Sequence, residues 1–166
     1  MNKRAKAPER DGRLIVGTEF YESAGHQIRR CHQIADAVFA EELAQHDVTP
    51  LQFAALTAIA ASDDLDATRI SRIIALDRST LGNVLERIEA KGWIAREYRN
   101  TDKRTKRLAL TATGKALLRA IAPAIKRSRE RFLGVLKPAD QETLRRLLSE
   151  LIALHVDDEE RFEQDG

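Results

Sequence analysis

The sequence predicts a mainly α-helical fold that carries one small β-hairpin, and three observations lead there. Apolar residues recur at spacings of three and four over most of the chain. One segment, Trp93 to Leu110, alternates with a period of two instead, with Leu108 and Leu110 on its apolar face. Helix-start residues, namely Thr49, Asp66 and Asp77, stand directly before three of the helical runs.

Taken in order, residues 18–48 read as one long helix from Thr18 to about Ala44, closed by the break Gln45-His46-Asp47-Val48. Phe20, Ala24, Ile28, Cys31, Ala35 and Val38 make its apolar stripe. Thr49-Pro50-Leu51-Gln52 is a capping box: Thr49 caps, Pro50 takes the first helical position and Gln52 reaches back. That second helix runs through Leu56 and Ile59 to about Ala61, and Ser62-Asp63-Asp64 is a turn. Asp66 caps a short third helix carrying Ile70, Ile73 and Ile74. After Ala75 and Leu76, Asp77 caps a fourth helix by accepting from the N–H of Ser79 or Thr80. Leu81, Val84, Leu85 and Ile88 form its buried stripe, and Gly92 stands just past its end, where positive φ is usual. Trp93–Arg99 and Lys106–Leu110 are the hairpin strands, joined by the polar turn Asn100-Thr101-Asp102-Lys103-Arg104-Thr105. Thr111-Ala112-Thr113-Gly114 opens a fifth helix that Pro123 kinks without ending, since the apolar pattern resumes at Ile125 and Phe132. Lys137-Pro138 is the next break. Asp140 and Glu142 fall in the first turn of a sixth helix, whose stripe is Leu144, Leu147, Leu148, Leu151 and Ile152.

The fourth helix and the hairpin carry the chemistry. Opposite the buried stripe stand Arg78, Ser79, Thr80, Asn83 and Arg87. An arginine fork matches guanine and an asparagine amide matches adenine, while serine and threonine suit phosphates or base edges. The net charge is only +2, but it is segregated: Leu76 to Arg107 holds nine cations against five anions, and the C-terminal VDDEERFEQDG is acidic. A probe helix beside a basic β-ribbon points to a duplex-DNA reader. The apolar stripes of the first, fifth and sixth helices exceed what a monomer of 166 residues covers, which favours a two-fold dimer.

Other classes find little support. His26 and His32 are six apart, hence about 240° apart around a helix, and the four histidines form no compact metal-ligand motif. There is neither a phosphate-binding glycine loop nor a G-x-S-x-G nucleophile motif, so no catalysis, cofactor or metal is expected. No apolar run is long enough for a bilayer, and the opening MNKRAKAPERDGR lacks the hydrophobic segment of a secretory signal. Residues 1–17 read as a disordered basic tail, with a DNA-contacting arm as the alternative, and 157–166 as an acidic tail. The single Cys31 excludes an intramolecular disulfide and fits the cytoplasm.

Asp102-Lys103-Arg104 followed by Leu108-Ala109-Leu110-Thr111 resembles the D-x-R…L-x-L-T wing signature of MarR-family transcriptional regulators. Leu76-Asp77-Arg78-Ser79-Thr80-Leu81 and the run Leu85 to Gly92 are similar to that family's recognition helix, and the likeness extends from about Phe20 to His155. Gly82 departs from it, since many relatives carry a larger residue there on the groove side. The resemblance implies a dimeric winged helix-turn-helix, with residues 18–48 and 112–156 as dimerisation helices and 49–111 as the DNA-binding region. It further implies that Arg104, flanked by Lys103 and Lys106, enters the minor groove from the wing, and that two-fold symmetry selects a palindromic operator. Asp102 would hold Arg104 or a nearby backbone N–H in place.

The implied function is a repressor released from its operator by a small molecule. The segment Phe20 to Gln33, FYESAGHQIRRCHQ, is most similar to members governing aromatic or nicotinic-acid breakdown. On that basis the expected effector is a hydroxylated aromatic carboxylate, held by His26 and Arg29 or Arg30, with Tyr21 or Phe53 against its ring. The alternative is a redox-responsive repressor sensing through Cys31, which Arg30 and His32 flank. Against that alternative, Cys31 falls on the apolar stripe, where burial is the ordinary role of a small side chain.

Overall fold

A computed structural model describes residues 18–61, 66–99 and 102–164, with side chains for 19–61, 66–96 and 107–153. The order is α1 (Thr18–Glu22), α2 (Ala24–Glu42), a 3₁₀ turn (Ala44–His46), α3 (Pro50–Ala61), α4 (Ala67–Ile73), α5 (Arg78–Ala90), β1 (Ile94–Arg99), β2 (Asp102–Leu110), α6 (Ala112–Leu133) and α7 (Pro138–Gln164). This is the mainly α fold with a two-stranded antiparallel wing that the sequence predicts.

The core gathers α3, α4, α5, the hairpin base and α6. Leu43, Leu56, Ile70, Leu81, Ile88 and Ile121 are its fully buried large side chains, with Trp93, Ile94 and Leu108 closing it under the wing. The expected caps hold. Thr49 N–H donates to Gln52 Oε1 (3.1 Å), and Gln52 N–H donates to Thr49 Oγ1 (3.2 Å). Asp66 accepts from Arg69 N–H at 2.8 Å. The turn between α4 and α5 is locked twice. Ser71 hydroxyl donates to Leu76 carbonyl (2.6 Å), and Leu76 N–H donates to Ser71 carbonyl (3.0 Å). Between them Ala75 takes φ 52°, a conformation that suits glycine better than alanine. Gly92 takes φ 69°, as its place after α5 requires.

Several boundaries differ from the sequence reading. The single first helix is two, because Ser23 adopts an extended conformation and its side chain caps α2 by accepting from His26 N–H (3.3 Å). A serine offers this competing bond, so it interrupts a helix that apolar periodicity alone would continue. Ile73 is 59% exposed and does not join the core. Ile70 and Ile74, about 40° apart on the wheel, define the buried side of α4, and Ile73 points about 60° the other way at its last turn. The strand β2 begins at Asp102 instead of Lys106. Tyr98 faces Lys106 and Arg99 faces Asp102, an irregular step that lets pairing resume past the extra residues. Glu142 lies beyond the first turn of α7, which holds only Asp140 as an acid. The backbone of α7 continues to Gln164, so most of the acidic tail is helical. The expected turn at Ser62-Asp63-Asp64 and the N-terminal tail lie outside the described residues.

Thr111 joins wing to α6. Its hydroxyl donates to Gly92 carbonyl (2.6 Å) and accepts from Gly114 N–H (3.0 Å), while its own N–H donates to Trp93 carbonyl (3.1 Å). Gly114 has to be glycine, since a Cβ there would collide with that same Trp93 carbonyl. The helix α2 is fastened to α6 by Arg127 on Glu42 (2.8 Å) and Arg131 on Glu41 and Glu42 (2.8 and 2.9 Å). No residue of α2 is buried, and Ile28, Leu147 and Leu151 stand about half exposed in the single chain. A groove of about 570 Å³ between α2, α6 and α7 is lined by these apolar stripes and by Cys31.

Candidate nucleic-acid interface

The α5 helix presents one buried and one open side. Leu81, Val84, Leu85 and Ile88 are buried, as their spacing requires, and Arg78, Ser79, Asn83 and Arg87 are exposed. Thr80 is half-buried. The helix start is held by Asp77, which accepts from Ser79 hydroxyl (2.6 Å) and Thr80 N–H (2.9 Å). Those bonds, the Ser79 hydroxyl first, hold the Asp77 carboxyl well below the usual carboxylate range. The cap therefore stays charged, beside the positive end of the helix dipole. One consequence falls on Ser79: its hydroxyl proton is committed to Asp77, so toward DNA it offers an acceptor.

The cations divide into two groups. Lys91 bonds Asp47 (2.8 Å to the carboxylate) and lies 4.5 Å over the Trp93 ring, and Arg96 pairs with Glu89 (2.9 Å). These two brace the end of α5 against the α2–α3 junction and β1. Arg78 and Arg87 have no ion-pair partner among the described residues. A count of charges along the sequence thus overstates the free positive charge of this segment. Thr80, Asn83 and Arg87 border a recess of about 390 Å³ shared with Asp36 of α2 and the first turn of α3, Thr49 to Gln52. The side chains of Lys103, Arg104 and Lys106, and of Asp102 beside them, lie outside the described residues, although their backbone belongs to β2.

Glu86 was not among the contacts expected from sequence, because a carboxylate repels phosphate. It is exposed, three residues after Asn83 and seven after Ser79, so it shares their face. That spacing was the available signal, and a carboxylate can accept from a cytosine amino group.

The residues expected to hold an effector are brought together only in part. Tyr21 and His26 contact ring to ring (5.3 Å), with Phe20 against both (5.5 and 4.9 Å). Arg29 and Arg30, exposed, follow His26 by three and four residues and lie on its side of α2. Phe53 is elsewhere: it packs on Phe39 (5.6 Å), thirteen residues after His26 and therefore about 20 Å along the helix. Within one chain Phe53 cannot share a ligand with His26. Cys31, expected to be buried, is exposed and free, so its helix stripe is left uncovered by its own chain.

The MarR family profile matches residues 46–105, from the 3₁₀ turn to the wing. Over 129 residues the chain is 32% identical to the transcriptional regulator HosA of Escherichia coli, covering 78% of this chain and 94% of that protein. The chain belongs to the MarR family. It is accordingly a DNA-binding transcriptional regulator and not an enzyme, and dimeric assembly is typical of MarR-family proteins. Solved MarR-family folds superpose on it. Bordetella bronchiseptica BpsR, whose DNA binding is regulated by 6-hydroxynicotinic acid, gives a TM-score of 0.74 at 27% identity, covering 80% of this chain and 94% of that one. A mutant MarR from Escherichia coli complexed with operator DNA gives 0.71 at 25% identity, covering 76% and 91%. Among the described residues no helix is long and apolar enough to cross a membrane, and no three His, Cys, Asp or Glu side chains group as a metal site. Cys31, the sole cysteine, is exposed and free, and the comparisons lend the redox alternative no support.

Proposed function

We propose that this MarR-family regulator is a cytoplasmic homodimeric repressor that reads a palindromic operator through α5 and the wing. The observation that carries this reading is the outward face of α5, where Arg78, Ser79, Asn83 and Arg87 are exposed beside a half-buried Thr80 while the opposite face is buried. In a two-fold dimer two such helices enter successive major grooves about 34 Å apart. Lys103, Arg104 and Lys106 then follow the wing toward the sugar–phosphate backbone and minor groove, where cations contribute salt-dependent affinity.

The repressor is released by a small aromatic carboxylate of the hydroxybenzoate or hydroxynicotinate kind. Two things support that class: the regulation of BpsR by 6-hydroxynicotinic acid, and the Phe20–Tyr21–His26 ring cluster one helical turn from Arg29 and Arg30. The rings offer packing surface and a guanidinium offers a bidentate carboxylate contact. The ligand acts through its preference for a spacing of the two α5 helices that no longer fits the operator. Calorimetry with benzoate, salicylate, hydroxynicotinate and hydroxycinnamate tests this. One of them should bind, and His26→Ala or loss of both arginines should weaken it. Binding by none, or binding indifferent to those substitutions, refutes the site.

A further inference from the structure

Glycine inside a helix is destabilising relative to alanine, so each helical glycine asks for a reason. Gly114 has one in the Trp93 carbonyl, and Gly134, just past α6, is closed in by the Glu130 carbonyl. Gly25 likewise meets no atom within 4 Å, but it stands in the first turn of α2 and not in a helix interior, where the cost of glycine applies in full. Gly82 is different. It is the fifth residue of α5, its φ is not in the left-handed region, and a Cβ built on it meets no atom within 4 Å. Nothing inside the chain requires glycine there. It stands three residues after Ser79, four before Glu86 and next to Asn83, on the partly open flank of the outward face.

We propose that Gly82 is a point of close approach between α5 and the DNA duplex, where a side chain would hold the two surfaces apart. A Cβ projects about 1.5 Å from the backbone, and its absence lets the helix axis settle that much deeper beside Ser79 and Asn83. The neighbouring duplex surface is either a base edge, such as a thymine methyl, or the sugar–phosphate wall. The assignment rests on the reading of α5 as the groove-facing helix.

The test uses the full-length protein and a duplex selected by it from a random-sequence library. Gly82→Ala should melt about 2–4 °C higher, because the helix gains propensity and the Cβ has room. The same variant should bind the selected duplex on the order of tenfold more weakly. Stability and affinity moving in opposite directions is what a merely structural glycine would not give. Asn83→Ala runs in parallel. If it loses affinity and Gly82→Ala does not, the inference about Gly82 is overturned and the groove face stands; if neither loses, both fall. A lower melting temperature for Gly82→Ala would overturn the premise that the site is open. Thymine-to-uracil changes along the duplex separate the two surfaces. Recovery at one position identifies a base methyl against Gly82, and recovery at none assigns the sugar–phosphate wall.

Discussion

Replacing Leu151 by glutamate tests where two chains meet in the proposed homodimer. Leu151 is 49% exposed in the single chain, with Leu144, Leu147 and Leu148 beside it on α7 at 38, 46 and 36%. Full burial of a leucine side chain brings roughly 1.5–3 kcal/mol, so covering the exposed half brings about 1 kcal/mol in each protomer and about 2 kcal/mol in a symmetric pair. The substitution also places two carboxylates where nothing pairs them, at several kcal/mol of desolvation each if they stay charged. A total loss of at least ~4 kcal/mol raises the dimer Kd by about a thousandfold. The fold itself should survive, because a side chain already half in water tolerates a charge. Sedimentation velocity over a concentration series, with circular dichroism as the check on folding, should show a folded monomer that no longer binds operator tightly. A folded dimer with full operator affinity would move the interface away from this face of α7.

Two further predictions concern the parts that hold α5 and α2 in place. Ala75→Gly should stabilise the chain by roughly 0.5–1 kcal/mol by relieving the positive φ, leaving operator affinity unchanged; chemical denaturation that shows a loss would mean the turn is unstrained. Glu42, bonded first by Arg127 and then by Arg131, has its pKa lowered on folding. Its contribution is therefore complete above the ordinary glutamate pKa and lost as pH falls through the depressed folded value. Glu42→Gln should cost stability at pH 7 and flatten the acid-side decline, which urea unfolding at pH 7, 5 and 3 reads directly. An unchanged decline would assign acid sensitivity to other carboxylates.

Much of this architecture was legible because single residues announce helix starts. Thr49, Asp66 and Asp77 form the cap bonds their positions suggest, and Gly92 takes the positive φ that ends α5. The periodicity of α5 separated its buried and open faces correctly, because that helix packs on one side only. The split at Ser23 was not legible, since Phe20, Ala24 and Ile28 keep helical spacing across it and only a side-chain hydrogen bond ends the first segment. Charge was misleading in a similar way. Lys91 and Arg96 read as part of a basic surface, yet Asp47 and Glu89 take them up through contacts 44 and 7 residues away. Residue type alone groups Phe53 with His26, and only the three-dimensional path of α2 places them at opposite ends.

The central claim is that the outward face of α5 reads base sequence. Fluorescence anisotropy with Asn83→Ala and Thr80→Ala, on the selected operator and on an unrelated duplex across a salt series, addresses it most directly. Each variant should lose roughly 1–3 kcal/mol on the operator. Binding to the unrelated duplex and its salt slope should stay as they are, because phosphate contacts made elsewhere set them. Operator affinity equal to that of the unsubstituted protein, or an equal loss on both duplexes, would contradict the assignment of this face to the major groove.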